Sequence, residues 1–108
     1  LGVNVLPINL RPLFTNQYGI RCQGNLVVLT SGYHLFKLTS DDGSRLYINN
    51  NLIIDNNGNH AMTTLSTSRL LEKGIHSFRL DYASTGGGQQ GIILENEVGV
   101  IPSYLFYR

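Results

Sequence analysis

The chain has 108 residues, enough for one domain with one core. Only 14% of its residues are charged, and 8 Lys and Arg against 7 Asp and Glu leave a net charge of +1. This balance excludes the basic surface by which proteins hold nucleic acid or anionic membranes. No apolar run approaches the roughly 20 residues of a spanning helix, so we expect no membrane insertion.

Residues 1–18 have no steady period. Two short alternating stretches are separated by Pro7, and Pro12 follows, which is typical of an edge strand broken by proline. We predict an N-terminal arm or edge strand over residues 1–18 and the main domain over residues 19–108. The arm could lie on an edge of its own sheet or pair with a neighbouring chain, since unpaired edges invite strand addition. The start lacks both an initiator methionine and a basic region, which predicts a mature or excised fragment.

From Tyr18 onward, short apolar runs alternate with turn residues, and no window has a helical period. Phe36 and Leu38 share a face with His34, as in a strand, and Asn49-Asn50-Asn51 joins two apolar runs as a hairpin turn would. Strands are predicted over residues 20–29, 33–39, 46–48, 52–54, 65–71, 75–82, 91–94 and 100–107. This pattern predicts an all-β fold, an antiparallel β-sandwich or barrel-like sandwich.

The only cysteine, Cys22, lies in the first of these strands, so neither an internal disulfide nor a thiolate metal site is expected. We expect a small, buried or half-buried strand residue, and a bridge to another molecule stays open. His34 and His76 are expected to be hydrogen-bonded residues of the sheets.

Two polar segments interrupt the strands. Residues 55–60, Asp-Asn-Asn-Gly-Asn-His, have almost no intrinsic preference for order, so something must hold them or they are mobile. Residues 83–90 contain three consecutive glycines, which predicts a long flexible loop. No helix with Lys-Ser or Lys-Thr follows these glycines, so they do not form a phosphate-binding loop.

Asp41 and Asp42 place two adjacent carboxylates at a corner between strands. One hypothesis is a metal site; the alternative is a polar corner whose carboxylates accept backbone N–H bonds or pair with Arg45. Neighbouring residues rarely point into one cleft at the ~5–9 Å that glycoside hydrolysis needs. No serine, histidine or aspartate lies in the context of an activated nucleophile, so we expect no enzyme activity.

The run Ser40-Asp41-Asp42-Gly43-Ser44-Arg45-Leu46-Tyr47-Ile48 resembles the protective antigen domain family, the module of anthrax protective antigen, flocculin-type adhesins and some glycosidases. The match extends over about residues 20–108. Its other elements are Thr30-Ser31-Gly32, Leu52-Ile53-Ile54-Asp55-Asn56, Gly74-Ile75-His76, Arg79-Leu80-Asp81-Tyr82, Gly86-Gly87-Gly88 and Ile101-Pro102-Ser103.

The resemblance implies an extracellular or cell-surface module that binds a glycan, commonly through Ca²⁺ held by two adjacent aspartates across a cis peptide bond. The matching aspartates are Asp41 and Asp42. A late loop, here residues 86–90, would complete the site, and Gln89 and Gln90 are its candidate metal ligands. Ca²⁺ takes six to eight oxygen ligands, which carboxylates, amides and bare carbonyls can supply. The candidate ligand-binding residues are Asp55, Asn57, Asn59, His60 and Gly88.

Two of these residues also have a purely structural interpretation. Asp55 could cap the hairpin loop, and His60 could face solvent or tether the loop. The family often has a tryptophan where Asn57 stands, so an aromatic platform for a sugar ring is missing.

Two functions follow from the sequence. The first is a non-catalytic, Ca²⁺-dependent carbohydrate-binding or adhesion module. The second is a structural module of a cell-surface fibre or multidomain protein, in which the arm pairs with copies of the chain or with neighbouring domains.

Overall fold

The computed structural model describes residues 9–10, 18–58, 60–84, 91–101 and 106–107, and these residues form strands and turns only. The all-β prediction is therefore confirmed. No helix within the described ranges is long and apolar enough to cross a membrane. The nine strands are β1 (Asn9–Leu10), β2 (Tyr18–Val28), β3 (Gly32–Asp41), β4 (Gly43–Ile48), β5 (Asn51–Asn56), β6 (Thr63–Leu71), β7 (Gly74–Ser84), β8 (Gly91–Glu95) and β9 (Phe106–Tyr107).

The strands form two antiparallel sheets. One has the order β1-β8-β3-β6 and the other the order β5-β4-β7-β2-β9. Consecutive strands β3 and β4 lie in different sheets, so the chain passes from one sheet to the other between Asp41 and Gly43. The doubled carboxylate therefore lies at the corner that joins the two layers.

Strict alternation in β3, β4 and β7 builds the core between the sheets. Phe36, Leu38 and Ser40 point inward from β3, and Phe78, Leu80 and Tyr82 do so from β7. The buried apolar residues are Leu26, Val28, Phe36, Leu38, Leu46, Ile48, Ile54, Leu71, Phe78, Leu80, Tyr82, Ile92, Leu94 and Ile101. Cys22 is half-buried against this core, as expected, and burial raises the pKa of its thiol.

The hairpin between β4 and β5 turns on two residues, not on the three predicted. Asn49 and Asn50 have φ of 53° and 66°, a region that asparagine tolerates better than most residues. Asn51 already belongs to β5 and pairs with Ile48. A register shift near Leu46 then places an extra residue in β5, so the strand bulges before it reaches the polar loop.

The described part of the arm pairs within its own chain, because Asn9 and Leu10 of β1 lie opposite Ile93 and Ile92 of β8. The rest of residues 1–17 lies outside the described residues, so pairing of the arm with a neighbouring chain stays a prediction. Of the predicted closing strand, residues 100–107, the described parts are β9 and residues 100–101, where Val100 forms an isolated bridge with Glu95; Pro102 lies outside the described residues.

The outer face of the five-stranded sheet carries a row of ion pairs. Arg21 and Arg79 both bond to Asp81, at 2.9 Å and 2.8 Å. Burial acts to raise the pKa of Asp81, but the hydrogen bonds from Arg79 and Arg21 outweigh it and hold that pKa below its ordinary value. Arg45 pairs with Asp55 at 3.2 Å on the neighbouring strands.

A cavity of about 520 Å³ lies at the other end of the sandwich from the corner. Its walls include Leu26, Phe36, Val98 and Ile101, with His34 at its side. Phe36 is five residues before Asp41 on β3, so about 17 Å of strand separates the cavity from the corner.

Candidate functional site

The candidate site is built on the Asp41–Asp42 corner. Asp41 ends β3, Gly43 begins β4, and the peptide bond between Asp41 and Asp42 is cis, as the family resemblance implies. The chain thus changes sheets without a loop, and both carboxylates lie at one end of the sandwich.

Hydrogen bonds hold the main chain of this corner from inside. The Tyr82 hydroxyl donates to the Asp41 carbonyl at 2.6 Å, and Ser40 Oγ donates to the Asp42 carbonyl at 2.8 Å. Ser44 Oγ lies 2.6 Å from Ser40 Oγ. Because the single Ser40 proton is used on Asp42, Ser44 is the donor of this second bond. Both serines are fully enclosed, with 0% and 2% of their surfaces exposed.

Ser40 and Ser44 form a buried polar cluster, and Asn56 extends this cluster to the end of β5. Its Nδ2 lies 2.9 Å from the Thr63 carbonyl, 3.3 Å from the Leu38 carbonyl and 3.4 Å from Ser40 Oγ. These acceptors belong to β3 and β6 in the other sheet, so the side chain joins the two layers just beneath the corner.

The two carboxylates differ in environment. Asp42 is only 8% exposed, and its Oδ1 accepts the backbone N–H of His60 at 3.0 Å. Asp41 is half-buried; burial and the adjacent Asp42 carboxylate raise the pKa of Asp41, while His60 acts to lower it. Arg45 bonds to Asp55 rather than to either residue of the pair. The corner therefore concentrates negative charge beside a half-buried histidine.

His60 holds the polar loop, for which the sequence alone indicates no stabilising contact. Its Nε2 lies 2.8 Å from the Asn56 carbonyl and its Nδ1 lies 2.7 Å from the Ala61 carbonyl. Burial acts to lower the pKa of His60, but these two carbonyls and the Asp42 and Asp41 carboxylates raise it, and the net shift is upward. The ring thus bridges the two ends of the loop.

The start of the same loop rests on Asp55 and Gly43. Asp55 Oδ1 accepts the Asn57 backbone N–H at 3.2 Å, the capping contact expected of it. A Cβ at Gly43 would lie 2.8 Å from both Asn57 Oδ1 and the Gly58 nitrogen. Only glycine fits there, because the loop passes directly over the first residue of β4.

The predicted second loop begins and ends at residues that pair with the corner. Ala83, near the end of β7, pairs with Gly43, and Gly91, the first residue of β8, pairs with Asp41. The connection between these two anchors therefore starts and finishes beside the two aspartates. Gly88, Gln89 and Gln90, which lie within it, are outside the described residues, as is Asn59.

The described donor set at the corner consists of carboxylates and carbonyls. Within the described ranges, no group of three or more His, Cys, Asp or Glu side chains is placed to hold a metal ion. Two adjacent carboxylates with neutral oxygen donors suit a hard cation such as Ca²⁺ far better than Zn²⁺, which prefers nitrogen and sulfur. Burial first, and the adjacent Asp42 carboxylate second, raise the pKa of Asp41, and a bound cation would offset the second of these causes.

Described residues beside the corner line a small depression. A depression of about 90 Å³ is lined by main-chain and side-chain atoms that include Gly43, Arg45, Asn57 and Asp81. It lies far below the ~300–1,000 Å³ of a pocket that engulfs a small molecule. Recognition here would rely on a few polar contacts at the surface.

The structure brings Asp41, Asp42 and His60 together and places Asp55 and Asn57 in the loop beside them. The inner supports of the corner are missing from the sequence-derived site: Ser40, Ser44, Asn56 and Tyr82. A signal existed for the serines, because both occupy inward-facing strand positions on either side of the aspartates, where an apolar residue is expected.

Comparisons with known proteins agree with this geometry. The sequence profile of the PA14 domain matches residues 14–101. Among solved structures, the PA14 domain of the antifreeze protein MpAFP has a TM-score of 0.76 and 23% identity over 84% of this chain. The PA14 sugar-binding domain of an RTX adhesin has a TM-score of 0.71 and 27% identity over 86% of this chain. A comparison with curated proteins finds no significant match.

A third similar structure is a β-glucosidase from Kluyveromyces marxianus, solved in complex with glucose, with a TM-score of 0.58 and 28% identity over 71% of this chain. The chain spans 52% of the antifreeze structure, 55% of the adhesin structure and 10% of the glucosidase. The sequence profile covers most of the chain, and the two sheets match those of solved PA14 domains. The chain therefore belongs to the PA14 domain family.

Proposed function

We propose that this PA14 domain is a non-catalytic carbohydrate-binding module of an extracellular or cell-surface protein, and that it binds its glycan through Ca²⁺. The observation that carries the proposal is the Asp41–Asp42 corner, where a half-buried and an enclosed carboxylate lie side by side at one end of the sandwich. Asp41 and Asp42 would hold the ion, with Gln89 and Gln90 as further ligands.

The support for the metal lies in how rigidly the corner is built. Two buried hydroxyl groups bond to the Asp41 and Asp42 carbonyls, and the His60 N–H orients the Asp42 carboxylate. Ca²⁺ needs oxygen atoms at roughly 2.3–2.6 Å, so donors that are already held in place lose less entropy on binding. Ala83 and Gly91 pair with residues on both sides of the corner, and we expect the segment between them to supply further neutral oxygens.

The support for a glycan comes from the surface and from the relatives. A bound Ca²⁺ can exchange waters for vicinal sugar hydroxyls, so this chemistry needs no deep apolar pocket, and the depression at the corner is small. Asn57, Asp55 and His60 lie in the loop beside it as candidate contacts. One similar solved domain is described as sugar-binding and comes from an adhesin.

Calorimetry with Ca²⁺ up to millimolar concentration tests the metal. We expect one site per chain and a rise in melting temperature that chelator reverses, since a ligand that binds only the folded state stabilises it. Asp41→Asn and Asp42→Asn should abolish both effects. Glu72→Gln is the matched control, because it neutralises an exposed carboxylate beside the far end of β6.

A glycan array, probed in Ca²⁺ and again in chelator, tests the ligand. We expect binding to a restricted set of sugars that is lost in chelator and in Asp42→Asn. Absence of any Ca²⁺ heat or thermal shift in a folded chain would refute the metal site. Binding that survives chelator would refute the role of the metal while leaving a carbohydrate-binding module.

A further inference from the structure

The ring of His60 makes a contact pattern that the proposed function does not itself require. Both ring nitrogens lie within hydrogen-bond distance of backbone carbonyls, one four residues earlier at Asn56 and one immediately following at Ala61. The backbone N–H of the same residue reaches Asp42 Oδ1 at 3.0 Å. His60 is thus bound at three points, of which two close the loop and one reaches the corner.

We propose that His60 is a positioning residue: its ring closes the loop between Asn56 and Ala61, and the closed loop aims the His60 N–H at the Asp42 carboxylate. The importance of this for ligand binding rests on the proposed function. The positioning itself concerns only residues of this chain and can be measured without any ligand.

The sequence of the loop explains why a clamp is needed. Between the two carbonyls it contains asparagines and Gly58, whose φ is +110°, so the backbone has little preference for one conformation. Ordering such a backbone costs conformational entropy at every residue. The ring offsets part of this cost from a single side chain, because its two nitrogens face the Asn56 and Ala61 carbonyls at the two ends of the loop.

The His60 N–H donates to the Asp42 carboxylate, and the orientation of this carboxylate matters for binding a cation. A hydrogen bond from a backbone N–H to a carboxylate is charge-assisted and stronger than a neutral one. Asp42 is enclosed, so the bond to Oδ1 restricts rotation of the whole carboxylate. If the loop opened, this N–H would move away and the Asp42 carboxylate would lose one of the contacts that orient it.

His76 provides a matched control within the chain. Its ring is also held at both nitrogens, 2.9 Å from Asn49 Nδ2 and 2.7 Å from the Glu72 carbonyl. It lies near the start of β7, about 23 Å of strand before Ala83 and the corner. His60→Ala and His76→Ala therefore remove comparable contacts at opposite ends of the sandwich.

The first experiment is amide hydrogen exchange by NMR on the metal-free chain. In His60→Ala, we expect the protection of the residue 60 amide to fall about tenfold or more and the Asp42 carboxyl ¹³C resonance to shift. Amides of β7 should keep their protection, and His76→Ala should leave residue 60 and Asp42 unchanged. Unchanged protection at residue 60 in folded His60→Ala would overturn the proposal.

The second experiment measures Ca²⁺ affinity by calorimetry on the same variants. We expect His60→Ala to weaken binding about fivefold or more, His76→Ala to leave it unchanged, and His60→Gln, which keeps donors for a carbonyl, to recover part of the loss. An equal loss in both alanine variants would mean general destabilisation and would overturn the positioning role. If the unaltered chain binds no Ca²⁺, the proposed function fails, and the exchange result alone decides the inference.

Discussion

Asn56 is the side chain whose removal should reveal most about how the corner is supported. It is 4% exposed, and its Nδ2 bonds to the Thr63 carbonyl at 2.9 Å, with longer contacts to the Leu38 carbonyl and Ser40 Oγ at 3.3 and 3.4 Å. Since Asn56 belongs to one sheet and these acceptors to the other, the residue fastens the two layers together.

The cost of Asn56→Ala follows from these contacts. One short bond and two long ones are lost, and buried acceptors lose their donor, a situation that costs about 1–3 kcal/mol. We therefore expect the free energy of unfolding to fall by about 2 kcal/mol. For a domain of this size, this corresponds to a melting temperature lower by roughly 10 °C.

Asn56→Asp should be worse than Asn56→Ala at neutral pH. An oxygen would replace the amide nitrogen and face two carbonyl oxygens, so the ionised form would be repelled and the pKa of the new carboxyl would rise on folding. A pKa raised by folding favours the folded state at low pH. The deficit of Asn56→Asp should therefore shrink as the pH falls toward the ~4 of an unfolded aspartate.

Urea unfolding followed by circular dichroism, at pH 7 and at pH 4.5, measures both variants. Asn51→Ala is the control, because it removes an exposed asparagine from the same strand and should change stability by no more than ~0.5 kcal/mol. If Asn56→Ala were as stable as Asn51→Ala, or if Asn56→Asp showed no dependence on pH, the described hydrogen bonds would not be what joins the sheets.

Three further substitutions test the surroundings of the corner. Gly43→Ala places a Cβ 2.8 Å from Asn57 Oδ1, so we expect about 1–3 kcal/mol of destabilisation with NMR shift changes centred on the loop; shifts confined to position 43 would contradict this. Tyr82→Phe removes the donor to the corner carbonyl and should cost about 0.5–1.5 kcal/mol in urea unfolding, while a neutral result would discount that bond. Asp81→Asn should lower stability slightly at pH 7, because the arginine partners of Asp81 hold its pKa below its unfolded value. That contribution is present above pH ~4 and is lost as the pH falls through the lower folded pKa, so acid unfolding curves of the two proteins should converge; parallel curves would refute it.

The class of fold is readable from the sequence because strand alternation is a local property. Phe36 and Leu38 are two positions apart in β3, and Phe78 and Leu80 are two positions apart in β7. Each pair therefore lies on one face of its strand, and this face is the buried one. The asparagine hairpin is equally local, since positive φ at Asn49 and Asn50 depends on those residues themselves. The predicted turn was one residue too long, because Asn51 suits a turn but belongs to β5, where it pairs with Ile48.

The candidate site could be named from the sequence only in part. Asp41 and Asp42 stand out because two carboxylates at a strand end are rare in a chain with so few charges. The contact of His60 with Asp42 spans 18 residues, and no period or motif connects those positions. The sequence left His60 open as a ligand, a solvent-facing residue or a tether, and the contacts of its ring with two loop carbonyls favour the tether.

The sequence by itself determined the strands, their buried faces and the doubled carboxylate at a corner, because each of these depends on residues a few positions apart. Only the tertiary structure decided that this corner joins two sheets, and that Ser40, Ser44 and Asn56 form the polar cluster beneath it. A buried hydroxyl or amide needs a hydrogen-bond partner, and for Ser40, Ser44 and Asn56 such partners arrive from other strands. Which strand arrives is set by how the two sheets stack, and that arrangement is a property of the whole chain.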